Sequence, residues 1–207
     1  MVASANVGRE AGAESRRVAM RIGAGIYWAR RALGDRRETA RRLWFRLPFV
    51  RRRLKRRALQ AWGQETIAFV CFGNICRSPF AERLAAQRRD GSRRSISAGY
   101  FPDEGRRSPE PAVNVARRMG IDLSGHRSRV LSPAIVEEAD AIFVFDEHNY
   151  RTVVREHRSA KGRVHFIGAL AEDDSLFIPD PFGGTAEDYE LVYRRIRTLV
   201  ATGEAGV

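Results

Sequence analysis

A thiol and a guanidinium stand six positions apart in Cys71-Phe72-Gly73-Asn74-Ile75-Cys76-Arg77-Ser78-Pro79. A cysteine is nucleophilic as its thiolate, and an arginine presents a planar fork of donors that matches two oxygens of a phosphate-sized anion. Their setting lets these properties combine. The apolar β-type run Ile67 to Val70 delivers Cys71 to a short loop with one glycine, and Pro79 then opens a segment that reads as helix. Backbone N–H groups at a helix N-terminus have no intrahelical partner and carry partial positive charge, so the loop is a ready cradle for a dianion. The same field favours the thiolate of Cys71. Nucleophile and anion site thus share one loop. The competing structural explanation is a buried cysteine closing a strand, since free Cys is among the most buried residue types.

Moving a phosphoryl group onto that thiolate requires charge stabilisation for three spreading oxygens and a proton for the leaving oxygen. Arg77 and the loop amides meet the first need. A carboxylic acid on another loop must meet the second, and Asp180 in Asp180-Pro181-Phe182 is the candidate, because it follows the last expected strand; by itself an Asp-Pro pair is usually only a turn. Asn74 tolerates the left-handed backbone a cradle can require, and the Ser78 hydroxyl can donate to the thiolate. Cys76, five residues from Cys71, can close a disulfide with it on oxidation or fill space beneath the loop as a small apolar group. His148, His157 and His165 lack ligand spacing and read as surface or packing residues, and Asp146 reads as a helix N-cap.

The elements that must position these groups alternate along the chain. Strands are expected at 67–70, 94–97, 141–145 and 164–167, the third a continuous apolar run of the kind buried on both faces. Helices are expected over 79–89, over 109–119 with Gly120 as its stop, from 133 with Ser132 as N-cap, from Asp146 to about 156, and over 185–198 with Thr185 as N-cap and Gly203 beyond its end. Alternating strands and helices predict an α/β fold: a small four-stranded parallel sheet with helices on both faces. Ligands bind beyond the carboxyl ends of such strands, where Cys71 falls.

The string C-x-G-N-I-C-R-S-P between a strand and a helix resembles the phosphate-binding loop of the low-molecular-weight protein tyrosine phosphatases, bacterial type. A bare C-x5-R would not suffice in so arginine-rich a chain. The resemblance covers 66–201 and implies the small parallel sheet, Cys71 as nucleophile, Arg77 as phosphate ligand, and Asp180 as general acid and then as the base activating water against a phosphocysteine. It implies no metal and no cofactor. It places Phe72, Gly73, Asn74, Ile75, Cys76, Ser78 and Phe182 against the substrate, and gives Ser97 and His126 the task of holding Asn74. Aromatic walls from Phe72, Phe182 and either Tyr100 or Phe101 would admit a long phosphotyrosine and exclude phosphoserine.

This sequence departs from the family in several places. Phe182-Gly183 stands where mammalian members carry two tyrosines, 100–108 differs from the animal pattern, and Phe145 replaces a usual methionine. Three other functions compete. Phosphoarginine phosphatases carry threonine where Ile75 stands; arsenate reductases need a cysteine beyond Cys71 and Cys76; a non-catalytic phosphate-binding module on a basic tether is opposed by the presence of Cys71, Arg77 and Asp180 together. The expected partner is a tyrosine-phosphorylated protein, with a bacterial tyrosine kinase of polysaccharide export as the analogy.

Charge divides the chain. Residues 1–63 hold 17 Arg or Lys against 4 Asp or Glu, net +13, whereas residues 64–207 hold 20 against 21, net −1. The overall +12 therefore says nothing about the substrate of the second part. The expected organisation is a basic extension over 1–63, helical or disordered, followed by a phosphatase-like domain over 64–207. Residues 1–15 are small and polar. From Gly23 to Trp62, arginines interleave with large apolar residues including all three tryptophans, and Gly34 and Pro48 divide the stretch into short helical pieces. Tryptophan with arginine over 16–63 suits an anionic membrane surface or a docking partner. Helices packed on the domain with a solvated basic face would give the same pattern, and nucleic acid is the less favoured partner. No apolar run approaches the ~20 residues of a spanning helix, and no secretory signal opens the chain. With two cysteines in one loop, a cytoplasmic location, peripheral at the inner membrane face, is the expectation.

Overall fold

The computed structural model describes residues 44–45, 47–88, 91, 93–171, 173 and 175–206. Two compact units divide the chain, 1–46 and Leu47–Val207. The expectations for 1–43, including the break at Gly34, lie outside the described residues.

The second unit runs α1 (Pro48–Trp62), β1 (Thr66–Cys71), α2 (Arg77–Arg88), β2 (Arg94–Gly99), α3 (Glu110–Arg118), α4 (Pro133–Glu138), β3 (Ala141–Val144), α5 (Glu147–Glu156), β4 (Val164–Phe166) and α6 (Ala186–Ala205). The four strands pair in parallel in the order β2-β1-β3-β4. All six residues of β1 and all four of β3 are buried, although successive side chains point to opposite faces. Both faces of the sheet are therefore covered. The chain leaves β1 for β2 on one side and returns to β3 on the other, so the sheet reverses its winding at the carboxyl ends of β1 and β3. That switch point is where open α/β sheets bind ligands.

Local signals set most element ends. Ser132 and Asp146 each cap a helix by accepting from the N–H three residues on, and Thr185 forms a reciprocal capping box with Asp188. Gly120 follows α3 at φ +78. Two expectations about glycine and proline need correction. The helix after the loop begins at Arg77 rather than at Pro79, so Arg77 and Ser78 belong to its first turn. Gly203 does not lie beyond the last helix but inside it, because α6 continues to Ala205. A Cβ at Gly203 would stand 2.5 Å from Trp62 Cδ2, so glycine is there to admit an indole, not to stop a helix.

That indole also ties α1, which precedes the expected boundary at 63/64, to the second unit. α1 packs on β4, on α6 and on the 3-10 turn Ile167–Leu170. Its last residue, Trp62, is 0% exposed and lies edge-on to Phe69 and Phe143, with ring centroids 6.0 and 5.3 Å away, while its Nε1 donates to Glu204 Oε1 at 2.9 Å. Phe69 and Phe143 are register partners on β1 and β3, so the tryptophan seals one face of the central strand pair. Val50, Ala58 and Ala61 are buried with it, and the helix turns Arg52, Arg53, Arg56 and Arg57 outward. Residues 47–62 of the basic region are thus part of the second compact unit. Among the described residues no helix is long and apolar enough to cross a membrane.

Candidate active site

Cys71 is the last residue of β1 and Arg77 the first of α2, so the loop between them closes over the sheet's switch point. Asn74 adopts φ 50, the only non-glycine residue in the left-handed region among those described. Gly99, at the end of the neighbouring β2, lets the loop approach: a Cβ there would meet Phe72 O at 2.7 Å.

The loop carbonyls are held from outside. Phe72 O accepts from the N–H groups of Tyr100 and Phe101, both at 3.0 Å, and Gly73 O from Arg106 NH2 at 2.6 Å. Asn74 O accepts from His126 Nε2 at 2.7 Å, and Cys76 O from the Tyr193 hydroxyl at 3.2 Å. In a trans peptide the N–H points opposite to the C=O, and no peptide here is cis. The N–H groups of Gly73, Asn74, Ile75 and Arg77 are therefore turned away from these anchors, as a loop that receives an anion on its amides requires.

A second network fixes the nucleophile's neighbour. Asn74 Nδ2 donates to Ser78 Oγ at 2.9 Å and to Ser97 Oγ at 2.8 Å, and its Oδ1 accepts from Arg129 N at 2.8 Å. Ser97 Oγ in turn donates to Glu82 Oε2 at 2.5 Å. With its oxygen already accepting from Asn74, Ser78 is left its own hydrogen to give to Cys71 Sγ, 3.1 Å away. The structure thus brings Ser97, His126, Asn74 and Ser78 together around the loop. Burial pushes the Glu82 carboxyl up from its usual value while Ser97 and Arg129 oppose the shift. Burial likewise lowers the His126 imidazole, which keeps it neutral with its proton on Nε2.

Arg77 is 0% exposed. Its NH1 donates to Asp146 Oδ2 at 2.7 Å and to Ile178 O at 3.0 Å, and its NH2 to Asp180 Oδ2 at 2.6 Å. Burial works against its charge, but Asp180 and then Asp146 outweigh it and hold the guanidinium firmly protonated. Its Nε has no partner among the described residues, and its carbon lies 5.5 Å from the Phe145 ring centroid. Asp180 reaches it because Ile178 N donates to Phe145 O at 2.8 Å, extending β3 toward the Asp180 loop. Asp180 Oδ1 also accepts from Phe182 N, closing a turn over Pro181.

The rim is aromatic. Phe72 is 44% exposed and Phe182 40%. Tyr100 and Phe101 both stand edge-on to Phe72, at 5.3 and 5.5 Å, so the two candidate walls pack on one side together. Ile75 and Cys76 are buried beneath the loop. Both cysteines are free. Burial, with Asp180 next, pushes the Cys76 thiol well above its usual value, so it stays protonated, and it lies 3.7 Å from the Tyr189 hydroxyl. His148 is tilted against Tyr100 and His165 against Phe143, both in packing roles.

Sequence reasoning missed the second role of Asp146. It caps α5 through Oδ1 and binds Arg77 through Oδ2. The signal was there, since it ends a strand at the switch point as Asp180 does, but the N-cap explanation consumed it. Glu82 and Arg106 left no local signal.

A buried guanidinium pinned by two aspartates beside a cysteine loop on a parallel sheet defines a phosphoryl-transfer class of site. Comparison with known proteins narrows the class. Residues 66–202 match the family model described as low molecular weight phosphotyrosine protein phosphatase. The chain is 32% identical over 127 residues to the low molecular weight protein-tyrosine-phosphatase Wzb of Escherichia coli K12, covering 61% of this chain and 84% of that one. Among solved structures it is similar to the tyrosine phosphatase Wzb from Escherichia coli K30 in complex with sulphate, at TM-score 0.64 and 28% identity over 68% of this chain and 96% of that one. It is also similar to the arginine phosphatase YwlE from Geobacillus stearothermophilus, at TM-score 0.64 and 29% identity over 69% of this chain and 92% of that one. The chain belongs to the low molecular weight phosphotyrosine protein phosphatase family, and it is a phosphatase.

Proposed function

We propose that the protein hydrolyses phosphotyrosine in proteins through a phosphocysteine on Cys71. The Cys71 thiolate attacks phosphorus while the phenolic oxygen leaves, taking a proton from Asp180. Water then attacks the phosphocysteine, giving its proton to Asp180 as the S–P bond breaks and the thiolate returns. Arg77 and the loop amides hold the equatorial oxygens through both steps. Ser78 supports the thiolate, and Ser97 and His126 hold Asn74. The observation that carries this reading is the 2.6 Å contact of Asp180 with Arg77, which sets the carboxyl group of Asp180 beside the anion-binding arginine of the Cys71 loop.

The structural likeness to the arginine phosphatase favours one second reading, hydrolysis of phosphoarginine. Ile75 and the aromatic rim of Phe72 and Phe182 favour tyrosine. Turnover of phosphotyrosine, phosphoarginine and phosphoserine peptides by the whole chain, measured in parallel, separates them. Faster cleavage of phosphoarginine would replace the tyrosine reading, and equal cleavage of phosphoserine would remove the aromatic rim as its basis.

The substrate is a tyrosine-phosphorylated protein such as a bacterial tyrosine kinase, and the basic region 16–63 tethers the enzyme to the anionic inner face of the membrane. In support, α1 presents Phe49, 68% exposed, in one helical stripe with exposed Arg52, Arg53 and Arg56. Co-sedimentation of the whole chain with neutral and with anionic vesicles tests the tether. Pelleting that ignores anionic lipid would refute it, as would preferential binding of nucleic acid at equal salt.

A further inference from the structure

Arg106 lies 33 residues from Gly73, in a segment that no motif marks, yet its guanidinium rests on the phosphate loop. Three contacts fix that group. NH2 donates to Gly73 O at 2.6 Å, Nε donates to Asp103 O at 3.0 Å, and the guanidinium carbon lies 4.0 Å above the centroid of Phe101. Its backbone is equally set. Arg106 N donates to Ser128 Oγ at 3.0 Å, Ser128 N to Arg106 O at 2.9 Å, and Gly105, at φ +74, makes the turn and donates to Ser128 O. A side chain locked at both ends is built into the site, unlike a surface arginine that wanders in solvent.

We propose that Arg106 is a positioning residue of the phosphate loop: it holds the Gly73–Asn74 peptide in the shape that receives the anion and sets a second positive charge at the loop's lip. The peptide it grips leads directly into Asn74, whose left-handed backbone redirects the loop and whose side chain serves Ser78 and Ser97. Rotation of that peptide would carry the whole network with it. Phe72 O, Asn74 O and Cys76 O are held by backbone N–H groups, a histidine and a tyrosine, so among these anchors from the described residues Arg106 is the one arginine. Burial works against its charge, while Asp103 and then Cys71 work for it, which places the guanidinium within electrostatic reach of the sulfur. Arginine suits the task better than lysine, because its fork reaches two carbonyls at once while lying flat on an aromatic ring.

The inference rests on the loop being the anion site, and inorganic phosphate as a competitive inhibitor of p-nitrophenyl phosphate hydrolysis tests both separately. Wild-type enzyme that phosphate does not inhibit would overturn the anion site itself. With inhibition established, Arg106→Met is expected to raise the inhibition constant about tenfold, the effect of losing one charge-assisted hydrogen bond, at unchanged melting temperature. Arg106→Lys is expected to recover only part of that loss, and millimolar guanidinium chloride, against an equal-ionic-strength sodium chloride control, to restore phosphate inhibition of Arg106→Ala. An unchanged constant in Arg106→Met, full recovery by lysine, or no rescue by guanidinium would overturn the positioning role. Phe101→Leu, which removes the platform and keeps the guanidinium, should raise the constant about threefold; should the Arg106 variants not fold, an unchanged constant in Phe101→Leu would overturn it alone.

Discussion

The phosphate loop and helix α1 flank the same strand, β1, and were built by different rules. The loop, 71–78, draws its geometry from a local string: a strand end, one left-handed asparagine, and a helix that starts at its own arginine. α1 is fifteen residues, six of them Arg or Lys, and nothing in its composition distinguishes a tether from a structural element. Its last side chain packs it on the domain, through partners at 69, 143, 203 and 204, while Arg52, Arg53, Arg56 and Arg57 stay outward. Charge density reports what a helix shows to solvent, whereas one buried ring decides what it belongs to.

Substitutions in the two regions should therefore fail in different ways. Cys71→Ser is expected to lower p-nitrophenyl phosphate turnover by at least about 10⁴-fold, since the weaker hydroxyl nucleophile has no base beside it; ordinary turnover by that variant would refute the assignment. Asp180→Asn should lower kcat by about 10² to 10⁴ with little change in KM, through loss of the proton donor. Cys71→Ser should leave the melting transition nearly in place, whereas Asp180→Asn, which removes one charge partner of the buried Arg77, should lower it modestly. Trp62→Ala should do the reverse, costing about 3–5 kcal/mol of stability for a fully buried aromatic ring, with kcat of the remaining folded protein unchanged. A denaturation midpoint indistinguishable from wild type would return α1 to the status of an attached extension. Gly203→Ala, which drives a methyl into the same ring, should cost about 1–3 kcal/mol.

The smallest effect separates the regions by pH. Burial, with Arg57 on α1 adding to it, holds the His165 imidazole down to about 4. The unfolded chain takes up that proton near 6.5, so between about 6.5 and 4 the unfolded state binds more protons and stability falls as pH falls, being complete above that window. His165→Gln should flatten this slope in urea titrations at pH 7 and pH 5. A slope unchanged in the variant would show that other groups carry the acid sensitivity.

How far the sequence could be read follows from the range of the interactions involved. The four strands, the caps at Ser132, Asp146 and Thr185 and the stop at Gly120 were legible because each depends on residues a few positions apart. Asp180 was legible as a carboxylate at a strand end, but its 2.6 Å contact with Arg77 spans 103 residues. Asp146 was read for the shorter-range of its two bonds and missed for the longer. Glu82 and Arg106 act on the loop through Ser97 and Gly73, and neither carries a pattern of its own. Gly203 was misread because a glycine near a helix end usually stops the helix, and the ring that required it here arrives from residue 62.

The sequence by itself determined that a thiol, a guanidinium and a ring of amides would meet at the end of a parallel strand, because that meeting is written within eight consecutive residues. The tertiary structure alone decided which carboxylates grip the guanidinium, which arginine steadies the loop, and where the folded unit begins. Those choices depend on groups brought together by the burial of a sheet's two faces, and burial is a property of the whole chain that no short window of it contains.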